Sequence, residues 1–194
     1  MGEPARKQPT FADILALGED VHGEIIGSDL VVHASPGIHH GAMSIALGAD
    51  LVNPFQRGRG GPGGWWFSSE VDVQLPDGQL YRPDIAAWRK ERVPDLPHER
   101  PFTIRPDWVC EVLSQSNSWY DWGPKREGYA HWGVPHLWLG DPGARTVTVL
   151  VLANDVYGVY QVAHDGETVR MPPFEAIEIA IADLLLPIPA EPAK

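Results

Sequence analysis

The 194-residue chain has a single cysteine, Cys110, set inside an apolar run. No disulfide can close within it and no thiolate metal cluster can be built, so a reducing cytoplasm is the simplest expected location. Long hydrophobic runs are also missing. No stretch approaches the roughly 18 uninterrupted apolar residues of a membrane span, and the opening MGEPARKQPTFADILALGED lacks the apolar segment that directs export. Neither export nor contact with a membrane is expected. Basic residues are scarce, 15 Lys and Arg against 26 Asp and Glu, for a net charge of -11. An overall basic footprint for nucleic acid is therefore absent, which leaves only a local basic patch or a bound metal that offsets charge. Apolar residues are not scarce: at 43% of the chain they suit one domain with a real core.

Along the chain, residues 1–10 read as a flexible N-terminus, 11–187 as a single domain and 188–194 as a loose tail. Thr10 is placed to cap a short helix over Phe11–Leu17. GEIIGSDLVVHASPG reads as two strands turned at Gly27-Ser28-Asp29. Met43, Ala46, Leu47 and Leu51 recur at helical spacing, which predicts a long helix from His39 to Asn53 ended by Pro54. QRGRGGPGG, with five glycines and a proline in nine residues, is expected to be a flexible loop, and it lacks the Lys-Ser or Lys-Thr pair of a phosphate-binding loop. Val71, Val73 and Leu75 alternate with polar residues before Pro76-Asp77-Gly78 turns the chain into LYRPDIAAW, a predicted hairpin. Residues 89–106 are charged and proline-rich, an expected exposed connection.

WVCEVL is apolar enough for a central strand. A second helix is expected over Asp121–Trp132, closed by Gly133. Strands follow at His136–Leu139 and Thr146–Leu152, with a hairpin over Val159–Val169 through Asp165-Gly166. The order predicts an α/β or α+β sheet with helices packed on it.

One acid, Glu111, stands in the middle of the apolar WVCEVL run. Side chains alternate along a strand, so Val109, Glu111 and Leu113 share a face. If the strand holding Asp84 is its neighbour, the two carboxylates meet. Adjacent buried carboxylates repel, so either one protonates or both hold a cation, and Mg²⁺ or Mn²⁺ is what such oxygens bind. Lys125 lies in the first turns of the next helix, where the helix dipole disfavours a cation. It either answers these carboxylates or is a solvated lysine paired with Asp121 four residues earlier.

Tyr81-Arg82-Pro83-Asp84-Ile85, Pro106-Asp107 leading to Glu111-Val112-Leu113-Ser114, Asp121…Lys125…Tyr129, and Gly133-Val134-Pro135 with Leu137-Trp138-Leu139 and Asp141-Pro142 together resemble a bacterial restriction-endonuclease family once catalogued as a domain of unknown function. That family lies within the PD-(D/E)XK nuclease superfamily. The resemblance covers roughly Phe11 to Leu186 and is most specific from Arg82 to Asp141. It implies a restriction-endonuclease-like αβββαβ core with a mixed central sheet flanked by helices, and here extra N- and C-terminal hairpins. It further implies a metal held by Asp84 and Glu111, with Glu70 as a further ligand, and DNA as substrate. In the standard motif a lysine stands two residues after the acid. That position is Leu113, and the resemblance points to Lys125 reaching the same site from the helix, with His39 and Tyr129 as accessory residues.

Neither His39 nor His40 begins a His-Glu-x-x-His zinc motif. Arg57, Arg59, Arg82 and Arg126 are candidates to contact phosphates, and Trp119 and Trp122 could stack on bases. The expected function is Mg²⁺- or Mn²⁺-dependent hydrolysis of DNA. The alternative is a nuclease-fold binding protein that lost turnover, which the acidic charge and Leu113 favour. A homodimer is expected from apolar groups of QRGRGGPGGWWF and 89–106.

Overall fold

The computed structural model describes residues 8–18, 21–114 and 118–187. The loose ends expected at 1–10 and 188–194 lie, apart from residues 8–10, outside them. Thr10 accepts the start of α1 (Phe11–Leu15), its backbone N–H and hydroxyl both donating to Asp13. Gly27, at φ 63°, turns β1 (His22–Ile26) into β2 (Asp29–His33). Helix α2 (Ile38–Leu51) buries Met43, Leu47 and Leu51, the stripe that the spacing predicts.

Pro54 does not end this helix. The chain widens into a π turn over Val52–Gln56, where the Arg57 N–H reaches the Val52 carbonyl and Pro54 and Phe55 are buried. A wider turn tolerates a residue that has no N–H. The glycine-rich segment that follows is tied down, with Arg59 N–H donating to Asn53 O and Gly63 N–H to Pro54 O, both at 2.9 Å.

The expected long hairpin is divided between two sheets. Strands β3 (Trp65–Ser69), β4 (Val73–Gln74), β5 (Leu80–Tyr81) and β6 (Ile85–Arg89) follow in order, but β4 and β5 pair with each other in a small sheet of order β2-β1-β5-β4. At Arg82-Pro83-Asp84 the chain leaves that sheet and enters the larger one, where β6 pairs antiparallel with β3. Pro83 lacks a donor for a continuous ladder, and this is where the strand breaks.

The connection 89–106 is largely exposed, as expected, but held at points: Phe102 takes a hydrogen bond from Gln74 N–H and donates to Asp72 O, and Val93 and Phe102 are buried. Trp65 is buried as well. The apolar groups on which a homodimer was expected are thus largely spent inside the chain.

Strand β7 (Trp108–Val112) is central, antiparallel to β6 and parallel to β8 (His136–Asp141). The crossover runs through a helical turn, α3 (Ser118–Tyr120), a kinked π turn over Asp121–Lys125, and α4 (Arg126–Trp132), which ends on Gly133 at φ 79°. Asn154 and Asp155, both at positive φ, make a two-residue turn between β9 (Thr146–Ala153) and β10 (Val156–His164). Strand β10 therefore pairs with β9 and not with the segment after Gly166; that segment, β11 (Thr168–Val169), pairs with β12 (Ile179–Ala180). The larger sheet has the order β10-β9-β8-β7-β6-β3.

Alternation along β7 sorts the interior. Trp108, Cys110 and Val112 pack on one face with α2, Trp138 and Phe174, while Val109 and Leu113 pack on the other with Tyr129 and Leu139. Glu111 points to the second face, beneath α4 and beside the small sheet. Gly128 lets α4 approach that sheet, since a Cβ there would lie 2.1 Å from the Tyr81 hydroxyl. No helix among the described residues is long and apolar enough to cross a membrane.

Candidate active site

The β6–β7 register pairs Ile85 with Cys110, and one step further sets Asp84 opposite Glu111. Asp84 Oδ2 accepts the Val112 N–H at 2.6 Å, and Oδ1 lies 3.0 Å from His40 Nε2. Glu111 Oε1 accepts from the Tyr129 hydroxyl and from Lys125 Nζ, both at 2.7 Å. Lys125 also reaches Glu24 Oε1 at 3.1 Å and Asp121 Oδ1 at 3.3 Å. Asp84, Glu111 and Lys125 thus line one cleft of about 120 Å³, together with Glu24, His33, His40, Glu70, Arg82 and Asp121. Lys125 is not the solvated lysine of the alternative reading: it is buried, answers the strand carboxylate, and pairs with Asp121 within the helical turn as well.

Two of these partners, Glu24 and His33, escaped the sequence reading. Glu24 lies in the middle of β1, 1% exposed. His33 Nε2, from β2, sits 2.7 Å from its second oxygen. The signal for Glu24 was the one that singled out Glu111, an acid inside an apolar strand, here GEII. Asp121, read as a helix opener, has its carboxylate buried at the site.

The balance of charge sets the protonation states. Burial alone would strip the Lys125 proton, but Glu111, Glu24 and Asp121 outweigh it and hold the ammonium well above the ordinary lysine range. Burial likewise disfavours the Glu24 carboxylate, yet Lys125 and His33 bring it down to about 2. Glu111 has no such surplus. Burial pushes its carboxyl well above the usual range, Lys125 only partly offsets this, and Asp121 and Asp84 add to the rise. Asp121 is raised by burial in the same way. Burial lowers His40, but Asp84 prevails and raises it.

Glu70 sits at the open end, its carboxylate 3.5 Å from His22 Nδ1 and its titration raised by burial and by Asp84. Its backbone is left-handed, φ 52°, at a cost of about 1 kcal/mol that glycine would avoid.

Among the described residues no three His, Cys, Asp or Glu side chains converge into a ready ligand set. The donors still suit a hard divalent ion. Mg²⁺ is commonly held by one or two carboxylates with waters and substrate oxygens completing the shell, and a divalent ion would draw Glu111 and Asp121, both raised by a burial that Lys125 only partly offsets, into their charged form.

Other expected residues fall outside the cleft or are committed elsewhere. His39 is exposed; its neighbour His40 faces the site, because adjacent helix positions diverge by about 100°. Arg82 lines the cleft but its guanidinium is bound to the buried Asp72 at 2.7 Å. Arg126 faces a different hollow, with Glu127, His131 and Tyr157. Asp107 binds Arg92 at 2.9 Å, away from the site. Trp119 and Trp122 are 69% and 38% exposed. Trp119 meets Tyr120 edge-on, and Tyr120 in turn meets His33. A second groove of about 660 Å³ continues from Glu70 and Asp84 between α2 and β3 as far as Arg57.

A mixed sheet flanked by helices, with an acid pair on neighbouring strands and a lysine from the crossover helix, defines a nuclease-fold protein. The match of residues 9–182 to the model of the Uma2 family, described as "putative restriction endonuclease", shows that the chain belongs to that family. Among solved structures it is similar to a putative nuclease belonging to DUF820 from Anabaena variabilis ATCC 29413. The TM-score is 0.69 and the identity 22%, covering 91% of this chain and 97% of that one. No curated protein matches.

Proposed function

We propose that the protein is a metal-dependent endonuclease that hydrolyses DNA phosphodiester bonds. The observation that carries this reading is the meeting of Asp84, Glu111 and Lys125 in one open cleft within a family described as restriction endonuclease. Asp84 and Glu111, joined at the open end by Glu70, would hold Mg²⁺ or Mn²⁺. Bound there, the ion would supply a water of lowered pKa and offset the charge that builds on the phosphate.

The chain's own groups do the rest. Lys125 keeps its proton and so cannot act as a general base. Its ammonium orients the attacking water or neutralises a phosphate oxygen, and the longest of its three contacts, to Asp121, is the one such an oxygen would replace. Tyr129 holds the Glu111 carboxylate in place, and the Val112 N–H and His40 hold Asp84. The groove leading to Arg57 gives a nucleic-acid strand a path to the acids, and the exposed rings of Trp119 and Trp122 offer stacking surfaces.

With Mn²⁺, supercoiled plasmid should be nicked weakly, because the net charge of -11 provides no long-range attraction, and the nicking should fall as salt weakens the few local phosphate contacts. Asp84→Asn should abolish the nicking. Equal activity in both proteins would mean a contaminant, and no nicking with any divalent ion would favour the nuclease-fold binding protein.

A further inference from the structure

The Lys125 ammonium has three protons and three acceptors: Glu111 at 2.7 Å, Glu24 at 3.1 Å and Asp121 at 3.3 Å. These acceptors differ in what they can anchor. Asp121 lies four residues before Lys125 on the same helical turn and moves with it. Glu111 is one of the carboxylates assigned to the metal. Glu24 alone comes from the small sheet, and both of its oxygens are fixed independently. Oε2 takes His33 at 2.7 Å, and Oε1, which Lys125 shares, takes the Arg82 N–H at 2.5 Å. Arg82 stands two residues before Asp84, so the carboxylate that holds the lysine also holds the backbone that delivers the first acid.

We propose that Glu24 is a positioning residue, which sets the Lys125 ammonium against Glu111 and ties the segment carrying Asp84 to the same point, with His33 fixing its carboxylate from behind. It touches neither substrate nor metal and acts through Lys125. The N-terminal hairpin, outside the αβββαβ core, is on this view part of the catalytic apparatus. The inference rests on the nuclease reading for its effect on turnover, but the placement of the ammonium can be tested without it.

The full chain is compared with Glu24→Gln, which keeps the shape and removes the charge, and with Glu127→Gln, the same charge change at an exposed position on α4. Two quantities are measured: the ammonium resonance of Lys125 in ¹⁵N-lysine-labelled protein, assigned by its loss in Lys125→Arg, and Mn²⁺-dependent plasmid cleavage. A buried, hydrogen-bonded ammonium exchanges slowly, so its resonance should be visible in the unmutated protein, unaltered in Glu127→Gln, and shifted or broadened away in Glu24→Gln. Turnover in Glu24→Gln should fall about ten- to a hundredfold, as losses of such supporting contacts do, with the KM for DNA unchanged.

His33→Gln, which can still donate to Glu24, should keep more turnover and a sharper resonance than His33→Leu; this pair gives the same two readouts if Glu24→Gln does not fold. A Lys125 resonance that is absent from the unmutated protein, or insensitive to Glu24→Gln and His33→Leu, overturns the proposal even if the protein cleaves DNA. A resonance that responds in a protein that cleaves nothing upholds the placement and removes the nuclease reading.

Discussion

The two ends of the cleft are built differently. At the inner end Glu24, Glu111, Asp121 and Lys125 are almost wholly buried, and a single cation serves three carboxylates. At the outer end Glu70, His22 and His40 keep partial access to solvent, and each ion-pair contact there joins one pair only, Glu70 with His22 and His40 with Asp84. Burial makes the inner charges interdependent, since removal of one leaves the others in a medium that cannot solvate them. The outer groups can exchange partners with water or a ligand at little cost. The inner end is therefore where loss of the shared cation damages the fold, and the outer end is where a substitution changes only what binds.

The largest test breaks the inner end. Lys125→Met should lower the unfolding free energy by about 3–5 kcal/mol in chemical denaturation at neutral pH, because it leaves buried carboxylates without their cation. Loss of cleavage in that variant would therefore not by itself identify a catalytic lysine. A change below 1 kcal/mol would show that water reaches the inner end and that the two ends do not differ.

Divalent ions probe the boundary between them. Mn²⁺ at a hundredfold excess over its Kd should stabilise the fold by about 2.7 kcal/mol, read as a rise in Tm, and Asp84→Asn should remove the rise. An unchanged Tm at millimolar Mn²⁺ would remove the metal site.

Acidity separates Glu24 from Glu111. The raised Glu111 and Asp121 carboxyls mean that the folded protein holds protons which the unfolded chain releases. Stability should fall as pH rises from the ordinary carboxylate range through their raised folded values, and Glu111→Gln should flatten that fall and cost no more than about 1 kcal/mol at neutral pH without metal. Glu24 acts in the opposite sense, and its contribution is lost as pH drops from near 4.5 towards about 2. Denaturation curves across pH would show both limbs, and a Glu111→Gln curve parallel to that of the unmutated protein would contradict the first. The smallest effect belongs to the surface: Trp119→Ala should change stability by less than about 0.5 kcal/mol yet weaken binding of single-stranded DNA.

What could be read from the chain follows the same division. Glu111 was visible as an acid in an apolar strand, Asp84 as its neighbour once strands alternate, and Lys125 as a cation at an unfavourable helix position. Each signal is local. Glu24 carries the same local mark, but its partner is about a hundred residues away, and nothing nearby says which sheet the hairpin joins. The division of LYRPDIAAW between two sheets was hidden for a related reason, since period-two alternation runs on across Pro83 while the ladder does not. His39 and His40 could not be separated because helix phase read from a few apolar positions is uncertain by one residue. The β9–β10 turn at Asn154-Asp155 was passed over in favour of Asp165-Gly166, although both central residues accept the left-handed conformation that a tight hairpin needs.

The segment Arg82-Pro83-Asp84, where the chain passes from the small sheet to the large one, also bears on the order of folding. Its backbone binds Glu24 on one side and its carboxylate binds Val112 on the other. The first bond closes with the β1–β5 pairing of the small sheet and the second with the β6–β7 pairing of the large one, so the segment joins the two ladders. Helix α4 must then seat before Lys125 meets Glu24, a closure over about a hundred residues whose entropy the earlier local contacts do not prepay. The contact of Lys125 with Glu24 is thus the long-range closure that brings the cation to acids the two sheets already carry.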